Sequence, residues 1–467
     1  MKRISIIFTM FLTIFIISAC TNDSKRDNFD PIELPTEKVE LSFWYGRNQT
    51  EGQRLEALFE SFKNEYPELD VTLTASSGLS LTQGTLRENV MNAMKDDLGP
   101  TIMLGSLSDQ AYYVDASYIL ALDDYINHPT IGIDKNDFIQ SFIEENKLSG
   151  KYYGLPFSKS PEIIVYNKTL FDHYNIVIPT NRAITWNDFE VMTNTLIGNA
   201  SMKTKYLYSI DYPTHFYLTE TNAWDAGFTT LEGNILIGDD NGNTESMLIH
   251  IKSMFDNHTL VLPSQEGARI DGSRLLHQGL VAMIQTTTRA TRFNIPTQTS
   301  VHNGKFDLFE IGFMPAFQST TCLFDEVSSE KCSVNYIGNN LSINANATEE
   351  EQLVAWLFIK HLTNTENSAN LGIELGTYPV RYSAIESNAY QTFLNTSYST
   401  SGDNTLYYQA QAAKAAYQQM NYYQHIPVFT GNPDSDKVSH NVSIMITSLQ
   451  TGDSVEAVIQ RFKTNIR

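Results

Sequence analysis

The sequence predicts an α/β protein built on parallel sheet and divided into two domains. Three observations predict it. Residues 39–73 read strand, helix, strand: Val39, Leu41 and Phe43 alternate with Glu40, Ser42 and Trp44; Leu55, Leu58, Phe59, Phe62 and Tyr66 recur at helical spacing; Leu69, Val71 and Leu73 alternate again. A period of two, then 3.6, then two marks a βαβ unit, whose right-handed crossover makes its strands parallel. The same grammar returns at 162–197 and 279–315. Finally, 467 residues are more than one hydrophobic core ordinarily serves, so two domains are expected.

At the start of the chain, Lys2 and Arg3 precede an almost wholly apolar run, residues 4–19. About 16 helical residues reach about 24 Å, short of a bilayer core of roughly 30 Å. Residues 1–19 therefore read as a signal peptide. The run closes on Ile17-Ser18-Ala19-Cys20, which resembles the lipobox of bacterial lipoproteins, where the Cys becomes the first mature residue and is acylated. The plainer alternative is a signal peptide that happens to contain a Cys. Residues 20–38 are polar, charged and aperiodic. Such a segment cannot bury enough to fold and suits a flexible tether.

After the strand at 39–44, Thr50 and Gln53 form a candidate capping box, and Pro67 stops the helix. "TIMLGS" at 101–106 is a short apolar strand, and "YILALDDYI" continues in helical style. "EIIVYN" at 162–167 is a strand, and "TWNDFEVMTNTLI" at 185–197 is a helix with Thr185 and Asp188 at its start. "GLVAMIQT" at 279–286 and "LFEIGFMP" at 308–315 are buried strands. Thr348 caps "EEEQLVAWLFIKHL", with Glu351 completing the box, and Asp453 opens a helix striped by Val455, Val458, Ile459 and Phe462.

Composition narrows the function classes. The net charge is −21, and phosphate backbones are bound through Lys and Arg, so nucleic acid is a poor partner. No Cys/His cluster has metal-ligand spacing, and no cofactor is called for. Cys322 and Cys332 are close in sequence, and a disulfide between them is plausible outside the cell, two unpaired thiols being the alternative. Neither a G-x-S-x-G elbow nor an H-E-x-x-H or P-loop motif is present.

Four passages carry a family resemblance: "LSFWYGRNQTEGQRLEALFESFKNEYPELDV", "GKYYGLPFSKSPEIIVYNKTLFDHYNI…ITWNDFE", "GLVAMIQT" and "NYIGNNLSINANATEEEQLVAWLFIKHLTNTENSANLGIELGTYPVR". In this order they resemble the extracellular solute-binding proteins of ABC importers, in particular those taking up sugars and glycerol phosphates. The resemblance spans about residues 39–467. It implies a two-lobed periplasmic-binding-protein-like fold with a hinge and a central ligand cleft. Lobe one would comprise 39–154 and 338–374, and lobe two 155–337 and 375–467. Crossings are expected at "YGLPF", "NYIGNN" and "GTYPVR". The chain departs from the family pattern at Gly338-Asn339-Asn340 and at Pro100-Thr101, so the family's ligand identity does not carry over.

Ligands of open α/β sheets bind beyond the carboxyl ends of the strands. Candidate ligand contacts are therefore Trp44, Tyr45 and Arg47; Gly105 and Ser106; Ser158 and Ser160; Thr286 and Thr287 beside Gln285; Gly338 and Asn339; and Tyr378 and Arg381. Trp224, with Tyr217, would sit where lobe two of the family often supplies a stacking ring, core placement being the alternative. Aromatic faces and hydroxyls suit a sugar. An Arg in contact would favour a glycerol-phosphate ligand instead. The Tyr before Pro379 and the two Arg have structural alternatives, as a hinge brace and as surface charges.

The function expected is a monomeric lipoprotein on the outer face of the cell membrane. It would capture a mono- or oligosaccharide, without chemistry, and deliver it to an ABC permease. A lipid-anchored glycan hydrolase is the alternative from another class: its paired carboxylates could be of the kind of Asp123-Asp124, which in an acidic chain more often form a solvated face. A surface adhesin would use the same anchor and leave the crossing passages unexplained.

Overall fold

The computed structural model describes residues 33–46, 49–77, 85–197, 204–227, 235–304, 308–318, 322–324, 332–400, 402–423 and 435–466. The signal peptide, Cys20, most of the tether and Arg47 lie outside the described residues.

The strands are β1 (Val39–Tyr45), β2 (Val71–Ser77), β3 (Ile102–Gly105), β4 (Lys147–Leu148), β5 (Lys151–Tyr152), β6 (Leu155–Asn167), β7 (Tyr208–Ser209), β8 (Leu260–Val261), β9 (Met283–Thr287), β10 (Ile311–Pro315) and β11 (Tyr336–Ile343). Nine form one sheet in the order β2-β1-β3-β11-β6-β9-β7-β8, with β10 also on β6. β1 is parallel to β2 and β3, with Val39 opposite Val71 and Phe43 opposite Ile102. In the other half β7 is parallel to β8 and β9.

The 13-residue β6 joins the halves. Its first part, Leu155–Pro161, pairs antiparallel with β11, and its second, Glu162–Asn167, with β9 and β10. Side chains from Leu155 to Val165 are buried throughout. A strand buried on both faces reads as continuous apolar sequence rather than alternation, which holds for Ile163, Ile164 and Val165 but not for Ser158, Lys159, Ser160 and Glu162. Those four mark the passage between the halves.

Two large apolar clusters flank the sheet. One gathers Phe43, Leu55, Phe59, Phe62, Ile102, Trp356 and Phe358 on the β1 side. The other gathers Ile164, Phe189, Tyr208, Tyr217, Ile251, Met283, Ile446 and Phe462 on the β7 side. The first also holds Tyr378, Tyr390, Ala410 and Ala416. The last helices, Ser435–Gln450 and Val455–Ile466, contribute to the second.

Local signals were met with three corrections. Thr348 and Glu351 form their capping box, and Thr185 and Asp188 bond reciprocally at the start of helix Trp186–Ile197. The first long helix begins at Gln49, ahead of the expected Thr50 cap. "YILALDDYI" is helical only over Asp123–Ile126, because Ile119 bridges Asn344 beside β11 and Leu120 N donates to Ile343 O. Ser454, not Asp453, caps the last helix, accepting from Ala457 N, while Asp453 pairs with Arg461. Cys322 and Cys332 are joined by a disulfide with Cα atoms 6.0 Å apart.

Candidate functional site

Both parallel halves deliver their carboxyl ends to the middle of β6. On one side Gly105, the end of β3, lies opposite Asn340 of β11, and Asn339 and Gly338 lie opposite Ser158 and Lys159. On the other side Thr287, the end of β9, lies opposite Glu162, with Thr286 opposite Ile163. The end of β7 runs beside β9 and leads into Asp211 and Tyr212. The topology thus gathers Trp44, Tyr45, Gly105, Ser106, Ser158, Ser160, Thr286, Thr287, Gly338 and Asn339 around one line.

These residues are not equally available. Trp44 and Tyr45 are half-buried at the end of β1. Trp44 packs against the cluster formed by Val90, Met94, Met103, Tyr113 and Ile119 and keeps part of its surface in solvent. Ser106 is the N-cap of helix Leu107–Asp115, its hydroxyl bonded 2.8 Å from Asp109 Oδ2. Ser160 accepts from Arg289 N (2.9 Å), and Thr286 accepts from Asn294 Nδ2 (3.1 Å). Ser158 is buried, and its hydroxyl has no partner among the described residues. Gly338 adopts φ +150°, and a Cβ there would collide with Ser158 O and stand 2.9 Å from Lys159 Cα; only glycine lets β11 approach β6 so closely.

Two candidates are committed to packing. Tyr378 is fully buried, its ring edge-on to Tyr423 and its hydroxyl turned to Met420 Sδ at 3.8 Å. Its N–H donates to Lys159 O at 2.6 Å, so it braces the crossing and presents no face to a solute. Arg381 is 7 % exposed. It pairs with Asp137 at 3.0 Å, donates from Nε to Thr363 O and stacks 3.9 Å from the Phe138 centroid. Its guanidinium is committed to the fold.

In the second half, Tyr217 is buried core, whereas Trp224 is half-buried beside His250, with ring centroids 5.3 Å apart. Beneath it lies a polar pocket of core. Glu220 accepts from Trp186 Nε1 at 3.0 Å, and Glu162 accepts from Gln285 Nε2 at 2.6 Å. Burial pushes Glu162 up to about 7, against the Gln285 hydrogen bond, and Glu220 up to about 8. Glu162 Oε2, Gln285 Oε1 and Glu220 Oε2 are buried without partners among the described residues. Such an arrangement wants protons on the carboxyls, since acceptors cannot satisfy one another.

Sequence reasoning missed Asp211, Tyr212 and His215. They are half-buried where β7 ends and helix Pro213–Ala223 begins. Tyr212 and His215 rings lie 5.6 Å apart. Burial raises Asp211 to about 6 and lowers His215 to about 4. β7 has only two residues, and the alternation in "YLYSIDYP" that ends at Pro213 was its one signal. Among the described residues no His/Cys/Asp/Glu group could hold a metal, and no helix is long and apolar enough to cross a membrane.

Solved structures share this architecture. UgpB from Mycobacterium tuberculosis in complex with glycerophosphocholine superposes with a TM-score of 0.68 at 16 % identity, over 92 % of this chain and 97 % of that one. The sugar-binding protein MalE from Xanthomonas citri gives 0.71 at 14 % identity, over 92 % and 96 %. ABC substrate-binding protein Lmo0181 from Listeria monocytogenes, in complex with cycloalternan, gives 0.67 at 16 %, over 92 % and 98 %. At these identities the likeness establishes the fold: α/β, in two lobes. No curated protein sequence matches the chain. A family model does, that of the bacterial extracellular solute-binding proteins, over residues 57–394. With most of its length matched and with this two-lobed fold, the chain belongs to the bacterial extracellular solute-binding proteins.

Proposed function

We propose that this protein captures a neutral carbohydrate between its lobes and delivers it to an ABC import permease, without chemical conversion. The observation that carries the ligand class is the commitment of Arg381. With its guanidinium bound to Asp137 and Thr363 and stacked on Phe138, it cannot serve as a bidentate phosphate clamp. Lys159, a second cation at the crossing, is buried against Glu145.

Among the described residues, the line of strand ends also carries Trp44, Tyr45, Tyr212, Ser158, Asn339 and Asp211, with Arg289 half-buried beside Ser160. Rings cover the apolar face of a pyranose, and amides, hydroxyls and a carboxylate read its hydroxyls. Binding of sugars and of a glycerophosphodiester by neighbouring structures supports the wider class. The lobes would comprise the segments that the crossings delimit, and the protein would act as a monomer. Ile17-Ser18-Ala19-Cys20 supports acylation at Cys20 and tethering to the outer face of the membrane.

The test is isothermal titration with maltose, maltotriose and glycerophosphocholine on wild type, Trp44→Ala and Tyr212→Ala. A saccharide that binds wild type and loses about tenfold or more in each variant, at about 1.4 kcal/mol per tenfold, supports the reading. Binding of glycerophosphocholine alone would replace it by the glycerol-phosphate reading.

A further inference from the structure

We infer that Lys159 is the positioning residue of the hinge: its main chain joins the three crossing segments, its side chain fastens them to lobe one, and closing turns on the link between Lys159 and Ser160. The inference deepens the binding-protein reading and rests on it for the meaning of closing.

The main chain comes first. Lys159 lies on the first crossing, opposite Gly338 on the second, and its carbonyl accepts from Tyr378 N on the third at 2.6 Å. The register of β6 and β11 shifts between Asn339 and Asn340, so the ladder is irregular next to this point. A bulge bends a strand and re-aims the residues beyond it.

The side chain reaches into lobe one and the second crossing. The Lys159 ammonium is 1 % exposed. It pairs with Glu145 Oε1, donates to Asn340 Oδ1 at 2.7 Å and lies 5.7 Å from the Tyr336 ring centroid. Asn340 Nδ2 donates to Glu145 (2.8 Å) and to Gln110 Oε1 (3.1 Å). Gln110 Nε2 donates to Asn146 Oδ1 and to Ser342 Oγ, both at 3.0 Å. Asn146 Nδ2 donates to Phe142 O at 2.9 Å. A saturated buried network of this kind rigidifies what it contains, and removing one ion leaves the other uncompensated.

One residue further on, the attachments change sides. Ser160 Oγ accepts from Arg289 N at 2.9 Å and lies 3.2 Å from Thr288 Oγ1. Consecutive side chains of a strand point to opposite faces; from adjacent positions Lys159 bonds Glu145 of lobe one and Ser160 bonds Thr288 and Arg289 of lobe two. The lobe-one grip is charged and buried. The lobe-two grip is two neutral hydrogen bonds. Hinges are a few residues that absorb the dihedral change, and here the chain between two unequal grips is the place for it.

The experiment measures the distance between the lobes without ligand, so its outcome is independent of which sugar binds. Spin labels are placed at Leu98 and Ile249, which are 73 % and 54 % exposed on opposite sides of the crossing, in the full chain carrying Cys20→Ser. Pulsed dipolar spectroscopy compares wild type with Lys159→Met/Glu145→Gln, which removes both charges together. An unliganded minor conformation ordinarily holds roughly 0.1–10 % of the population. The expected result is a broadened distribution with about tenfold redistribution between open and closed distances, in a variant that keeps its circular dichroism and cooperative unfolding. A folded variant with the wild-type distribution overturns the inference. Should the double variant not fold, Ser160→Ala, which removes the lobe-two grip and leaves the ion pair intact, is compared instead, and the same two outcomes decide.

Discussion

The Arg381 guanidinium sits 3.0 Å from the Asp137 carboxylate and 3.9 Å from the Phe138 ring centroid. Asp137 also accepts from Ser383 N and Oγ, at 2.9 and 2.7 Å. Burial alone would raise the Asp137 carboxyl, but the Ser383 and Arg381 hydrogen bonds outweigh it and hold the group below its ordinary value. A depressed carboxyl stabilises above its unfolded value, and that stability is lost as pH falls through the folded one. Arg381→Ala leaves Asp137 half-buried, still bonded to Ser383 but without its counter-charge. It should cost about 3 kcal/mol, read as a lower urea midpoint at pH 7.

The buried carboxyls predict the opposite pH response. Glu162, Glu220 and Asp211 are raised by burial to about 7, about 8 and about 6. A raised carboxyl binds more protons folded than unfolded, so stability falls as pH rises from about 5 to about 8. His215, lowered by burial to about 4, works against this between about 6.5 and 4. Three carboxyls outweigh it above pH 5. Glu162→Gln/Glu220→Gln should therefore flatten the decline in urea midpoint between pH 5 and pH 8.5, by on the order of a few kcal/mol. An equal decline in the variant would count against the buried pair.

The Cys322–Cys332 bond spans a sequence separation of 10. Closing a loop of that length restricts the unfolded chain by about 3 kcal/mol on the chain-entropy model. Cys322→Ser/Cys332→Ser, or reduction under native conditions, should lower the denaturation midpoint by that amount. Unchanged stability would contradict it.

Gly338 tests the crossing geometry. Its φ of +150° is strained for any residue with a Cβ, and a Cβ would meet Ser158 O. Gly338→Ala should cost about 1–3 kcal/mol in backbone strain and push β11 off β6. Ligand affinity should fall along with the urea midpoint. Wild-type affinity would show that the close approach does not matter to the cleft.

The alternating and helical runs were legible because each is local: Val39, Leu41 and Phe43 are buried as their phase required, as are Val455, Val458, Ile459 and Phe462. The capping box at Thr348 and Glu351 needs only four residues to be seen. "YILALDDYI" misled because its apolar residues answer to β11, some 220 positions away. In the candidate site, strand ends could be read, but the fate of each side chain could not. Ser106 is spent on Asp109 three residues ahead, a cap legible in principle. Arg381 is spent on Asp137, 244 positions earlier, a pairing that only the fold creates. Tyr212 and His215 escaped notice because their strand is two residues long.

The central claim is that a neutral saccharide closes the lobes. Thermal unfolding of the full chain carrying Cys20→Ser, against mono- and oligosaccharides and glycerol phosphodiesters, tests it most directly. A ligand that binds only the folded protein stabilises it by about 2.7 kcal/mol at 100-fold over its Kd. A shift of that order is expected with one class of neutral saccharide, the sugar being recovered unaltered. A shift with glycerol phosphodiesters alone, or a saccharide consumed during the assay, would contradict it.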